Sequence, residues 1–484
     1  MTSLLTETAV VLCGSAFFFC ILWIAACRPV LFLSFFFILF TLVWRTSSTM
    51  YIDLAGPVFS SQTYHYIGPG FVTPLHVLAY FMTVLPFFIL LQPNKIEIWQ
   101  GEADRSPGQP GVVTLSDVSF IISMLFLGDL FVDLLRNGSI PLFAHVERFV
   151  YTDKYAGAAH RWLVQYGNLL TFWWGVMLAA ERLRNRRMDV RYLALLGLLV
   201  AYMFLTGNRF SAIYSFGSFF IAPLSAVIAA DFRGGSPPAP FFWIGRSFRR
   251  RDLVVFGTAV VVLAIVSVTG IYNNLVNVRG YEGSEILQQF TERVLIQPSE
   301  LGWISYERVF DFGHWQPSRV FDFLFQTPLD PNRNTTPQFL MLETIGEPRT
   351  WEHISGGFQF AGGFPEIFFE WFGPIYAWPF IFGAGYLAAA LTALMVKGVL
   401  QGRYASAFLS MYVLYGIYVM YIGGMLNFAT RGTYLVKIAT LAAVLLIEAR
   451  LARVGLPLVP WIICRVPQFG WFERLRFVRS RIGN

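Results

Sequence analysis

A chain of 484 residues that is 56% hydrophobic, 17% aromatic and only 13% charged has too much apolar surface to hide in a water-soluble core, and too many aromatics for a disordered chain. The composition therefore points to an all-α polytopic membrane protein. The net charge of +7 does not call for nucleic acid, because most of the excess sits in short basic connectors suited to an anionic lipid face.

A bilayer core of roughly 30 Å needs about 20 apolar residues at 1.5 Å rise per residue. About eleven runs of that kind follow one another, at 8–26, 29–44, 71–91, 113–135, 162–180, 191–205, 211–230, 253–272, 374–396, 404–422 and 433–449. The first lacks a basic leader, carries Glu7 and runs directly into the second, so it reads as a retained helix and not a cleaved signal. The connectors ERLRNRRMDVR (181–191), GRSFRRRD (245–252), KGVLQGR (397–403) and the tail RLRFVRSR (474–481) fall on one side when alternate loops are assigned to it. That side is expected to be cytoplasmic, which puts the amino terminus outside. The stretch 456–464, short and with two prolines, is expected at the interface. Cys13, Cys20 and Cys27 repeat at seven residues and Cys464 lies near the tail; they read as small packing residues without disulfides.

The chain divides accordingly into 1–272 (eight spans), a large outer loop at 273–373, three more spans at 374–450, and an interfacial segment with a basic tail at 451–484. The outer loop is rich in Phe, Trp, Arg, Asp, Glu, Pro and Gly. That composition favours an ordered cap of short helices over an outer cavity. The smaller outer segment 137–162 is expected to pack against it. VFDF occurs at 309–312 and 320–323 and brings Asp311 and Asp322 into similar settings, but two copies make no repeat architecture. The cytoplasmic side offers only basic turns and two Gly/Pro segments, at 100–111 and 232–240. Any chemistry is therefore expected outside.

Charges near the outer rim are the candidates. In FLTGNRFSAIYSF (204–216) Arg209 opens a helix after a tight turn; Arg279 follows the eighth span, Arg431 lies in the turn NFATRG, and Lys437 sits about one and a half turns inside the last span. A fully inserted charge costs about 2.5–3.5 kcal/mol and is kept where it has a partner. Two readings stand for Arg209: snorkelling to headgroups, or a forked phosphate contact. Four cations on the side that normally lacks them ask for an anionic ligand. Candidate bases in the outer loop are His314, His353, Asp311, Asp322, Glu343, Glu347, Glu352, Glu366 and Glu370. Glu366, at a helix start, is favoured ionised by the helix dipole, with Glu370 one turn later on the same face; His353 has the intrinsic pKa for proton transfer. Glu366 and His353 rank first. Asp129 and Asp133, a turn apart near the outer end of the fourth span, either pair with Arg136 or accept hydrogen bonds from sugar hydroxyls.

Three stretches resemble a family. LTGNRFSAIYSF (205–216) looks like the "tGsR" element of bacterial oligosaccharide repeat-unit polymerases, the O-antigen polymerases of the Wzy type within the O-antigen ligase-like GT-C superfamily. GSIPLF (138–143) is similar to their outer loop after an early helix, and SGGFQFAGGFPEIFFEWFG (355–373) to the Gly-rich, Glu-containing entry after their largest periplasmic loop. One spacing departs: the long loop has no Arg followed ten residues later by Gly, so no catalytic arginine carries over on that pattern. The resemblance implies a glycosyltransferase of the bacterial inner membrane with a periplasm-facing site. It would move the growing glycan from undecaprenyl pyrophosphate to the next lipid-linked repeat unit. Donor, acceptor and membrane lipid are then the partners, with a chain-length regulator protein as a further candidate. Arg209, Arg279, Arg431 and Lys437 would hold the pyrophosphate, Glu366 or His353 would act as base with Arg209 and Arg279 as catalytic cations, and Asp129, Asp133, Glu370 and His314 would bind sugar. No DxD motif or clustered ligand set lies on the outer side, so neither metal nor cofactor is expected. The alternatives are a ligase-type glycan transferase and a flippase or transporter, the last disfavoured by the lack of internal repeats.

Overall fold

The computed structural model describes residues 2–231 apart from 61–62, 106–111, 139, 145, 147–149, 186–188 and 208–209, then a few isolated residues between 257 and 276, and then 282–318, 320, 345–355, 363–424, 426 and 428–454. Helices dominate. The first group is α1 (Thr2–Cys27), α2 (Pro29–Ser34), α3 (Phe36–Ala55), α4 (Val72–Leu90), α5 (Pro93–Arg105), α6 (Val112–Arg136), α7 (Ala158–Asn185), α8 (Val190–Leu205), α9 (Phe210–Ile221) and α10 (Leu224–Asp231). The segment expected on the outer side contributes α11 (Ser284–Thr291), α12 (Glu300–Tyr306) and α13 (Glu347–Ser355), and the carboxyl-terminal part α14 (Glu366–Leu400), α15 (Tyr404–Gly423) and α16 (Gly432–Val454).

Six stretches among the described residues are long and apolar enough to cross a membrane, in α1, α4, α6, α9 with α10, α14 and α15. The protein is membrane-embedded and helical. Every predicted apolar run overlaps a helix except 253–272, which falls almost wholly outside the described residues. The helices α3, α7 and α16 cover predicted runs with a more polar sequence, and α8 covers one with 16 residues. The densest packing joins α14 to α4 and α15, with α1 and α3 against α4; α6, α7 and α8 form a second layer reached through α9 and α10.

Polar side chains fasten the ends. Asp53, in the last turn of α3, accepts from the backbone N–H and the hydroxyl of Thr73, both at 2.7 Å, and so caps the first turn of α4. The same carboxylate accepts from Trp303 Nε1 at 2.9 Å, which fixes α12 to that corner. Between α3 and α4 a short antiparallel hairpin pairs Val58–Ser60 with His65–Ile67, Phe59 facing Tyr66. At the opposite end Glu102 of α5 takes Lys397 at 2.9 Å and Gln401 at 2.7 Å.

Part of the segment expected to form the cap is described. Residues 292–306 lie against the middle of α3: Trp44 Nε1 donates to Val294 O at 2.8 Å, Ser48 Oγ to Leu295 O at 2.9 Å, and Ser299 Oγ to Arg45 O at 2.8 Å. Every residue of α12 is buried. The segment is thus inserted between helices. Irregular backbone is stable at such a place because protein groups satisfy it.

A break lies in α14. Gly373 has φ 71° and ψ −177°, a conformation open to glycine and closed to most side chains, and it divides the helix. Phe368 and Phe380 stack at 6.5 Å between ring centroids, and Phe369 meets Trp378 at 5.2 Å. On a straight helix the first pair would be about 18 Å apart along the axis. Residues 366–372 therefore fold back along the rest of α14 as a re-entrant half-helix. The predicted boundary between loop and span, at 373–374, coincides with this break.

Glu300 in α12 accepts from Ser60 Oγ at 2.6 Å. Burial pushes its carboxyl up to about 8, with the Ser60 hydrogen bond lowering it in part and nearby Glu292 adding to the rise. The folded chain then keeps a proton that the unfolded chain, titrating near 4.5, releases. Stability should be greatest at or below about pH 4.5 and fall as pH rises toward 8, at up to ~1.4 kcal/mol per pH unit. Thermal unfolding in detergent across pH 5 to 8.5 checks this: Glu300→Gln should flatten that part of the wild-type slope, and parallel curves would contradict it.

Candidate functional site

The site is built around Arg45, about 15 Å from the end of α3 at ten residues of helical rise. The residues that follow are Thr46, Ser47, Ser48 and Thr49. Three of them return their hydroxyls to carbonyls one turn back: Thr46 to Leu42 at 2.9 Å, Ser47 to Val43 at 3.0 Å and Thr49 to Arg45 at 2.9 Å. Self-satisfied hydroxyls let the helix carry its polar stretch through an apolar interior.

The Arg45 guanidinium is buried, and each of its three nitrogens donates a hydrogen bond. Nε donates to Pro298 O at 3.0 Å, Nη1 to Phe364 O, and Nη2 to Glu366 Oε1. One side chain thus ties α3 to the outer segment and to the start of the half-helix. Glu366 is 0% exposed, and its Oε2 is buried without a hydrogen-bond partner among the described residues. The helix α12 lies directly on this pair because residue 302 is glycine; a Cβ there would overlap the Glu366 carboxylate.

Aromatic and imidazole groups complete the surround. His76 and Tyr80, one turn apart on α4, hydrogen-bond through Nε2 and the phenol. The His76 ring lies 5.7 Å from Tyr306 of α12. His76 Nδ1 and the Tyr306 hydroxyl are buried without partners among the described residues. Glu366, one cation and three unsatisfied polar atoms therefore share one enclosed place. Such groups are expensive to bury unless something uses them.

One turn along the half-helix, Glu370 is 2% exposed and faces Arg308 Nε at 3.8 Å. Arg308 belongs to the π-helical turn Glu307–Asp311 that follows α12. It is 15% exposed, so this second pair forms the more open edge of the site. Glu366 and Glu370 each meet an arginine from a different element.

The predicted site residues divide. Arg209 and Arg279 lie outside the described residues, as do Asp322 and Glu343, and so does the side chain of His353 on α13. Glu366 and Glu370 are both buried on the half-helix, Glu366 against Arg45 and Glu370 facing Arg308. Arg431 is exposed in the turn before α16. Lys437 stands 3.8 Å over the Tyr412 ring, on the α15–α16 flank. His314 is exposed, its backbone N–H donating to Arg308 O at 2.9 Å. Asp129 is exposed, and Asp133 accepts from Gly157 N at 2.8 Å, which fastens the start of α7. Asp133 thus caps the start of α7 through Oδ2. No group of three or more His, Cys, Asp or Glu side chains among the described residues is gathered to hold a metal ion.

Arg45, Arg308, His76 and Tyr306 were missed. Arg45 ended the predicted run 29–44 because a charge reads as a boundary. The signal that it does not is the absence of any Gly or Pro from residue 45 to Ala55, together with the run of small hydroxyl residues after it.

Residues 330–436 are similar to a family of unknown function (DUF6418). No curated protein and no solved structure matches the chain. The matched region contains the half-helix with Glu366 and Glu370 but not Arg45, so the ion pair joins the matched region to the amino-terminal helices.

Removing either partner of a buried pair leaves an uncompensated charge, at a cost of ~3–5 kcal/mol, whereas apolar replacement of both costs much less. Arg45→Met and Glu366→Leu should each lower the thermal midpoint sharply, and the double variant should recover much of the loss. Additive losses in a double-mutant cycle would contradict the pairing.

Proposed function

We propose that the protein is a glycosyltransferase of the bacterial inner membrane that polymerises lipid-linked oligosaccharide repeat units at the periplasmic face. The observation that carries this reading joins sequence to geometry. The segment resembling the Gly-rich, Glu-containing entry of the polymerases is the one that bears the two buried carboxylates, each beside an arginine.

In this reading the acceptor hydroxyl attacks the anomeric carbon of the donor glycan, the bond from that carbon to the pyrophosphate oxygen breaks, and the hydroxyl proton passes to Glu366 Oε2. Proton removal and charge stabilisation at the departing oxygen are the two requirements of the step. Arg45 holds Glu366 through Oε1 and so aims Oε2. Arg308, at the open edge, joins Arg209 and Arg279 in receiving the diphosphate, since guanidinium matches phosphate oxygens in pairs. Glu370 and the neighbouring aromatics contact sugar. The helix α12 is the element that shifts to admit the acceptor, because it lies on the Glu366 carboxylate.

Purified protein given undecaprenyl-pyrophosphate-linked repeat units in EDTA should produce a ladder of lengthened glycans. Glu366→Gln should slow elongation by about 100-fold or more, and Arg308→Ala, at the edge where folding is less at stake, should raise the donor concentration needed for half-maximal rate. A ladder seen only with divalent metal would reject the metal-free chemistry. Full activity in Glu366→Gln would remove that carboxylate as the base, and transfer to a different acceptor would favour the ligase-type reading.

A further inference from the structure

Away from the Arg45 site, α7, α15 and α16 leave a lateral groove of about 850 Å³ on the flank of the bundle. Its walls are aromatic, with Trp162 and Trp173 from α7 opposite Phe408 and Tyr412 from α15. The Trp173 and Phe408 rings meet edge to face at 5.9 Å. At one end the groove closes on two charged side chains, Arg403 from the turn between α14 and α15 and Glu448 from α16.

These two groups are incompletely matched. Glu448 is 6% exposed and hydrogen-bonds Ser406, yet its Oε2 is buried with no hydrogen-bond partner among the described residues, as is Arg403 Nε. They are near enough for the arginine to influence the carboxylate, but neither uses up the other. A half-satisfied cation and anion at the foot of an apolar groove need a ligand that brings both opposite charges. The turn from Leu400 to Tyr404 is where two long helices reverse direction, which is where the headgroup layer of a bilayer would lie.

We propose that this groove binds a glycerophospholipid whose headgroup carries both a phosphate and a primary ammonium, of the phosphatidylethanolamine type, in the leaflet on the side of the 400–404 turn. The phosphate meets the Arg403 guanidinium. The ammonium, a donor of up to three hydrogen bonds, meets Glu448 Oε2, and the acyl chains lie along the four aromatic side chains. A quaternary ammonium has no N–H to give Glu448, and a glycerol headgroup has no positive charge, so neither fits as well. The proposal is independent of the glycosyltransferase reading, and its test does not use activity.

The test is native mass spectrometry of the full chain released from bilayers containing equal amounts of dioleoyl phosphatidylethanolamine, phosphatidylcholine and phosphatidylglycerol. The wild type should retain the ethanolamine lipid about tenfold over the other two, the scale of one charge-assisted hydrogen bond. Glu448→Gln should erase that preference, and Arg403→Gln should reduce retention of all three. Ala405→Trp, at an exposed position lining the groove, should block retention without touching either charge, so the outcome does not rest on charge variants that fold poorly. Equal retention by the wild type, a preference that persists in Glu448→Gln or Ala405→Trp, or displacement of the ethanolamine lipid by an added polyprenyl phosphate would overturn the proposal.

Discussion

A guanidinium in the interior of an apolar helical bundle is the constraint on which this structure turns. Arg45 cannot lose its charge at any accessible pH, and it is too far from the end of α3 to reach water by extending its side chain. Its five donors must be met from within. Each of its three nitrogens donates one bond, to a carboxylate and two main-chain carbonyls from segments more than 250 residues away in sequence. The stability of such a pair is less informative than its specificity, because a well-packed apolar substitute would hold the helices as firmly. What the pair specifies is which irregular segments enter the bundle, and where.

From that requirement the surrounding features follow. Pro298 and Phe364 can present carbonyls only if residues 292–306 and 363–372 penetrate between helices. Penetration demands that their other polar groups be satisfied, and Trp44, Ser48, Ser299 and Asp53 do so. Close approach demands the missing side chain of Gly302, and the reversal of the half-helix demands Gly373. The second pair, Arg308 with Glu370, repeats the arrangement one turn nearer the open edge. A site results in which acidic and basic side chains are set by the fold and buried. The lateral groove with Arg403 and Glu448 sits on another flank and answers a different need, the seating of the protein in lipid.

Much of this was legible in the sequence. Apolar runs of the right length announced helices, since hydropathy over about 20 residues is a local property, and the described helices overlap all but one of them. Glu366 and Glu370 stood out because PEIFFE places two acids a turn apart at the entry to an apolar run. The break at Gly373 coincides with the expected end of the loop for the same local reason. Arg45 was not legible in the same way. Its partners are distant in the chain, and a charge next to Trp44 looks like the end of a span until Glu366 is brought beside it. The insertion of α12 was hidden too, because a short helix that is buried by others has the composition of a folded cap. Lys437 and Arg431 illustrate the converse: cations alike in the sequence have different surroundings, one over the Tyr412 ring and one in an exposed turn.

The central claim is that Arg45 holds the half-helix and the outer segment inside the bundle. An experimental structure by electron cryomicroscopy, with the protein in a lipid nanodisc, tests it most directly. The account predicts density joining the Arg45 guanidinium to the Glu366 carboxylate and to the carbonyls of Phe364 and Pro298, with residues 366–372 folded back along α14. Density placing Arg45 toward lipid or an aqueous channel, with 366–372 continuing α14 as one straight helix, would contradict it.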